Sequence, residues 1–270
     1  MDGTVLRRVN SGQRFGKLVA ENMALVALLV ILLVFQILTS GRMLTAQNLN
    51  SIFFQGFQLM LGCMAVTFLF ALGGLDLTMG NTIGFAALLG ARVAGISIWL
   101  CLLVCLLVSV SVSLLNGFLY TKAKLPLFIA GLSISFVLGG FLQPLSNNGT
   151  IAIPYRYVSW NNSAVKLVVL TVVFLIYGYL FVYTKIGRQM KAIGAGEEAA
   201  VQSGVNTGRM KCLAFVLSGI VSGVLAFMTL LRDLGADSDT GSMFEFNVMV
   251  ALVLGGMPMS GGSKARFRFA

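Results

Sequence analysis

From Leu18 onward the sequence alternates long apolar runs with short polar intervals. Most runs are about 20 residues long, the length that carries an α-helix across the ~30 Å hydrocarbon core of a bilayer. Inside that core each backbone N–H and C=O must be satisfied within the protein, which leaves helices or closed barrels. Unbroken apolar runs, without the alternation of barrel strands, point to helices. The chain is therefore expected to be an all-α polytopic membrane protein. A composition 57% hydrophobic and 10% charged excludes a soluble domain. The net charge of +10 could suggest nucleic acid, but Lys and Arg lie between the runs instead of on one soluble face, so lipid, not nucleic acid, is the expected partner.

The runs place about eight spans, at 18–38, 51–72, 81–95, 98–120, 126–145, 165–183, 212–231 and from 245 onward. Residues 1–17 form a polar N-terminal segment and 18–270 one transmembrane domain. With the N-terminus inside, the inner segments hold Arg7, Arg8, Arg14, Lys17, Lys122, Lys124, Lys185, Arg188, Lys191, Arg209, Lys211, Lys264, Arg266 and Arg268, 14 of the 19 basic residues. The outer segments hold only Arg42, Arg156, Lys166 and Arg232. This bias predicts a cytoplasmic N-terminus.

The second span is interrupted by Gly73-Gly74-Leu75-Asp76-Leu77-Thr78-Met79-Gly80. Asp76, a carboxylate at membrane depth, either lines a route or caps the third helix. Asn116 lies within the fourth span and is expected to bond across helices. Arg92 should face protein or snorkel at the outer end. Gly and Ala recur every fourth residue in the third span, and Gly219-x-x-x-Gly223 in the seventh, which predicts close helix packing. Gly255-Gly256-Met257-Pro258-Met259-Ser260-Gly261-Gly262 repeats the glycine pattern of the first break, the kind of internal echo found in transport pathways. Asp233, Asp237, Asp239 and Glu245 make an acidic outer interval, either a solvated turn or a docking surface. The absence of His removes His-based catalysis and metal binding, and the four cysteines read as packing thiols. Near-matches to phosphate-binding loops lack the lysine or the strand context they need. No catalytic residue, cofactor or metal is expected, and if the protein uses ATP another chain must bind it.

The one long polar interval, 184–211, contains Gly187, Arg188, Gly194, Glu197, Glu198, Ala199, Ala200, Ser203 and Gly204. The two glutamates suit the positive end of a short helix and Gly204 a left-handed stop. Two turns of helix are marginal alone in water, so this one is expected to dock on a partner on the cytoplasmic side.

Gly73-Gly74-Leu75-Asp76-Leu77-Thr78, Asn116-Gly117, Pro126-x-Phe128-Ile129, Gly187-Arg188, Ala192-Ile193-Gly194, Ala199-Ala200, Ser203-Gly204 and Glu245 followed by Gly255-Gly256 together resemble the permease subunits of bacterial ABC importers for ribose and related monosaccharides, a group that includes branched-chain amino-acid permeases. The resemblance implies half of a type II importer in the bacterial inner membrane: a second permease copy, two cytoplasmic ATPase subunits and an extracytoplasmic sugar-binding protein. Residues 185–211 become the coupling loop, Asp76 and Asn116 the substrate pathway, and Asp233, Asp237, Asp239 and Glu245 the docking surface for the binding protein. Gly131 stands where Thr is usual and Gly196 where Asn is common. The family continues past Gly261-Gly262, so C-terminal spans are expected to be missing here. A nucleoside or branched-chain amino-acid permease is the nearest alternative. An ion-coupled transporter would need more intramembrane carboxylates than Asp76, and an embedded hydrolase a nucleophile with its base.

Overall fold

Apolar runs of this length meet their backbone needs by coiling, and the computed structural model, which describes residues 23–123 and 125–256, is helical almost throughout. The N-terminal segment 1–17, Lys124 and the second glycine motif beyond Gly256 lie outside the described residues. The helices are α1 (Met23–Leu38), α2 (Ala46–Ala71), α3 (Met79–Val93), α4 (Ile98–Thr121), α5 (Leu127–Ser146), α6 (Ser163–Tyr183), α7 (Lys185–Ala195), α8 (Glu197–Gln202), α9 (Thr207–Asp233) and α10 (Phe244–Leu254). Five of them, α2, α4, α5, α6 and α9, are long and apolar enough to cross a membrane. At 15 residues α3 covers only about 22 Å, less than a full bilayer core. Two short 3₁₀ turns and a pair of two-residue strands, β1 (Ile151–Ala152) and β2 (Gly235–Ala236), complete the set.

The chain divides into two compact units, one up to Gln55 and one from Gly56. In the first, α1 shows mainly exposed Leu, Val and Ile side chains, as suits lipid contact. Its exit turn is tied by Gln36, whose side chain accepts from Leu44 N (3.1 Å) and donates to Gly41 O (3.3 Å).

In the second unit, α4 and α9 pack antiparallel because glycine removes the side chains that would hold them apart. A Cβ on Gly219 would come within 2.9 Å of the Val110 Cα, one on Gly223 within 2.7 Å of the Leu106 Cα, and one on Gly117 within 3.0 Å of the Phe215 ring. The Gly219/Gly223 face thus packs as the sequence predicts. So does α3, buried along most of its length among neighbouring helices. By contrast α6 buries only Lys166, Tyr177 and Phe181, and its exposed Leu167, Val168, Val172, Leu175 and Ile176 suit a lipid environment.

One end of the bundle is closed by loop contacts. Arg92 donates to Leu145 O (2.5 Å), meeting a carbonyl that the last turn of α5 leaves open. Arg156 donates to Gly95 O (3.1 Å), Trp99 and Trp160 meet edge to face at 5.4 Å, and β1 pairs antiparallel with β2. From β2 the chain keeps Asp239, Ser242 and Met243 exposed while its backbone packs on the bundle. Residues 235–243 run along α3, where a Cβ on Gly84 would strike Thr240 O and one on Gly80 would strike Gly241 O. Glycines on α3 make the groove this strap fills.

Candidate functional site

Two main-chain bonds end α2, Gly74 N to Leu69 O (3.0 Å) and Gly73 N to Phe70 O (2.9 Å), with Gly73 at φ +78°, a conformation that favours glycine. Residues 74–78 then run without helix until α3 starts. Buried at this break, Asp76 Oδ1 accepts from Thr78 N (2.9 Å), Thr78 Oγ1 (2.5 Å) and Asn116 Nδ2 (3.2 Å). Asp76 and Asn116, 5% and 0% exposed, are thereby brought together from positions 40 apart. By taking the Thr78 N–H two residues on the carboxylate closes a turn just before α3, and by taking Asn116 it also ties the break to α4. Among the described residues Asn116 Oδ1 and Glu245 Oε2 are buried without a hydrogen-bond partner, so the cluster holds acceptor capacity in reserve. One turn further, Asn81 Nδ2 donates to Ser135 Oγ (2.7 Å) and Ser135 O (2.9 Å) of α5. Gly131 allows α5 to approach, since a Cβ there would stand 3.3 Å from Leu77 N and 3.8 Å from Asn116 Nδ2.

The acidic residues differ in setting. Asp233 pairs with Arg232 (2.6 Å), Asp237 accepts from Thr240 Oγ1 (2.9 Å) and Asp239 N (3.1 Å) to close a turn, and Asp239 is exposed. Glu245 departs from the expectation of a docking residue. It is 9% exposed at the start of α10 and packs against Gly80, whose missing side chain leaves room for the carboxylate.

The polar interval holds one helix more than the sequence reading placed. Along α7, Ile186, Met190 and Ile193 turn inward while Lys185 and Arg188 stay exposed. Gly187 is buried against the Phe181 backbone, with no room for a side chain. Lys191 lies over the Phe181 ring (4.0 Å) and donates to Phe181 O (3.3 Å), and burial there lowers its ammonium below the ordinary lysine range. Gly194 is half-buried. The expected short helix is α8, opened by Glu197 and Glu198 and ended by Gly204 at φ +79°. Glu198, Ala199, Val201 and Ser203 are exposed, whereas Ala200 is 4% exposed and already packed inside this chain. Glu197 forms an ion pair with Lys211 (2.6 Å).

Residues 48–265 match the family model described as branched-chain amino acid transport system / permease component. The chain belongs to this family. It is similar to the ribose import permease protein RbsC of Escherichia coli K12, 25% identical over 90% of this chain and 79% of that protein. It is also similar to RbsC of Haemophilus influenzae, 23% identical over 96% and 83%. The L-arabinose transport system permease protein AraH of E. coli K12 is 30% identical over 75% of this chain and 65% of its own length. No solved structure matches.

In this permease the break thus carries carboxylate, amide and hydroxyl groups, two of their acceptor atoms unpartnered among the described residues, within otherwise apolar helices. Such groups can exchange hydrogen bonds with a passing polar solute without a covalent step. Thr78, Asn81, Ser135 and Gly131 belong to the set but were not singled out as site residues. Asn81 was the legible one, as an amide inside an apolar, small-residue span. Cys63, Cys101, Cys105 and Cys212 are free thiols set among the helices, away from these contacts.

Proposed function

We propose that the permease is the membrane-spanning subunit of an ATP-driven importer for a monosaccharide of the ribose type, with Asp76 and Asn116 on the solute route. The observation that carries this reading is the buried cluster at the break, because its donors and acceptors suit a hydroxyl-rich solute better than a branched aliphatic one. The names of the relatives, ribose and arabinose permeases, support the same choice.

In this reading the N-terminus and residues 185–211 face the cytoplasm, which the distribution of Lys and Arg supports. The exposed side of α8, with Glu198, Ala199 and Val201, sits in a groove of an ATPase subunit, held by the Gly187/Arg188 and Gly194 turns of α7. Asp233, Asp237 and Asp239, at the opposite end, meet an exported sugar-binding protein, and a second permease copy completes the pathway.

Co-reconstitution with the partner ATPase and binding protein tests the reading. Labelled ribose or arabinose should enter vesicles when ATP is present and the proton and sodium gradients are collapsed. Uptake that follows an ion gradient and ignores ATP would replace the importer by an ion-coupled transporter.

A further inference from the structure

We infer that Lys211 is a positioning residue that ties α8 to the buried cluster at the break, so that a shift of α8 is passed to Asn116 and Asp76. The inference rests on the reading of α8 as the element that docks the ATPase.

Lys211, 8% exposed near the start of α9, is held from two sides. Its Nζ is 2.6 Å from Glu197 Oε1 on α8 and 4.5 Å from the centre of the Tyr120 ring on α4. Among the described residues this is the only ion pair between α8 and the bundle. The lysine side chain is 10% exposed and the glutamate side chain 49%, so an α8 that moves far either leaves a mostly buried ammonium without its partner or pulls α9 with it. Moving α9 means moving α4, because Gly117, Gly219 and Gly223 let the two backbones interpenetrate, and Tyr120 meets Phe215 edge to face at 6.2 Å. Asn116 stands one turn before Tyr120 on the same side of α4, about 6 Å along the axis. Its bond to Asp76 Oδ1 is the far grip of the same helix pair. The α4–α9 pair thus holds α8 at one point and the break at another. Beside the ion pair lies a cavity of about 500 Å³, lined by Tyr120, Leu125, Pro126, Glu197, Thr207 and Lys211, which gives the tie room to swing.

Amide exchange at residues 74–78, measured on the full chain in lipid nanodiscs, tests the tie without any partner. Lys211→Met should speed that exchange by about 3-fold, the scale of one lost ion pair whose carboxylate is half exposed. It should add nothing further when Asn116→Ala has already opened the bond to Asp76. The swapped pair Glu197→Lys with Lys211→Glu should return exchange towards the native rate. Unchanged exchange in Lys211→Met, purely additive effects with Asn116→Ala, or a rise that persists in the swapped pair would each overturn the inference. In the assembled transporter the same single variant should lower sugar moved per ATP while the ATPase still co-purifies. Loss of the ATPase from the variant would make Lys211 part of docking alone and also overturn the tie. A native complex that neither hydrolyses ATP nor moves sugar would refute the importer reading, and the exchange experiment would still decide the tie.

Discussion

At Gly80 a single hydrogen atom stands where a methyl group would meet both Glu245 Oε2 and the carbonyl of Gly241. Gly80→Ala should therefore destabilise the permease by about 1–3 kcal/mol, the usual cost of overpacking. The expected sign is a lower midpoint in detergent thermal unfolding. Adding Glu245→Ala should restore only part of it, because the Gly241 carbonyl remains. Asp76 poses a different question, since Asn at this position could still accept from Thr78 and Asn116. If the residue only caps, Asp76→Asn should be nearly silent; on the proposed route, uptake should fall about 10-fold or more with normal amounts in the membrane, the loss of roughly 1.4 kcal/mol or more of charge-assisted contact. Uptake normalised to membrane content decides between these. Asp76 and Asn116 were each legible as polar residues in apolar surroundings. Their bond was not, because helices apolar on nearly every side carry little periodic signal to say which face turns inward.

The same limit acts differently on whole elements. Most spans could be bounded to within a few residues, since length and hydropathy alone fix them. The helix α7 was missed although its signal was present: Ile186, Met190 and Ile193 recur at four and three residues, with Lys185 and Arg188 on the other side. Basic residues drew the reading towards a loop. The course of residues 235–243 along α3 was not legible, because acidic side chains look the same on a solvated turn and on a strap whose backbone does the packing. For α8 the structure separates two alanines that the sequence treats alike. Ala199→Trp, on the exposed side, should weaken ATPase co-purification about 5-fold or more with the permease itself intact. Ala200→Trp, pushed into the chain's own core, should reduce the amount of folded permease recovered from membranes. Equal behaviour of the two variants would remove α8 as a docking element. At the α4–α9 contact, Gly219→Leu should force the helices apart and cut the yield of folded protein more than Gly178→Leu on α6, where a side chain meets open space.

For the molecule as a whole, the charge distribution gives an orientation that labelling can check. A cysteine at Gln202 should resist an impermeant thiol reagent in intact cells, while one at Asn148 or Ser238 should react. Reaction at Gln202 from outside would invert the proposed orientation and remove the cytoplasmic role of α8. The strap along α3 has a consequence in time. Thr240 and Gly241, which fill the glycine groove, are made about 160 residues after Gly80 and Gly84. At roughly 5–20 residues per second, α3 waits on the order of 10 to 30 s for them. During that interval a short, glycine-rich helix packs first on α4 and α5 and then on α9, with its groove open until the strap arrives.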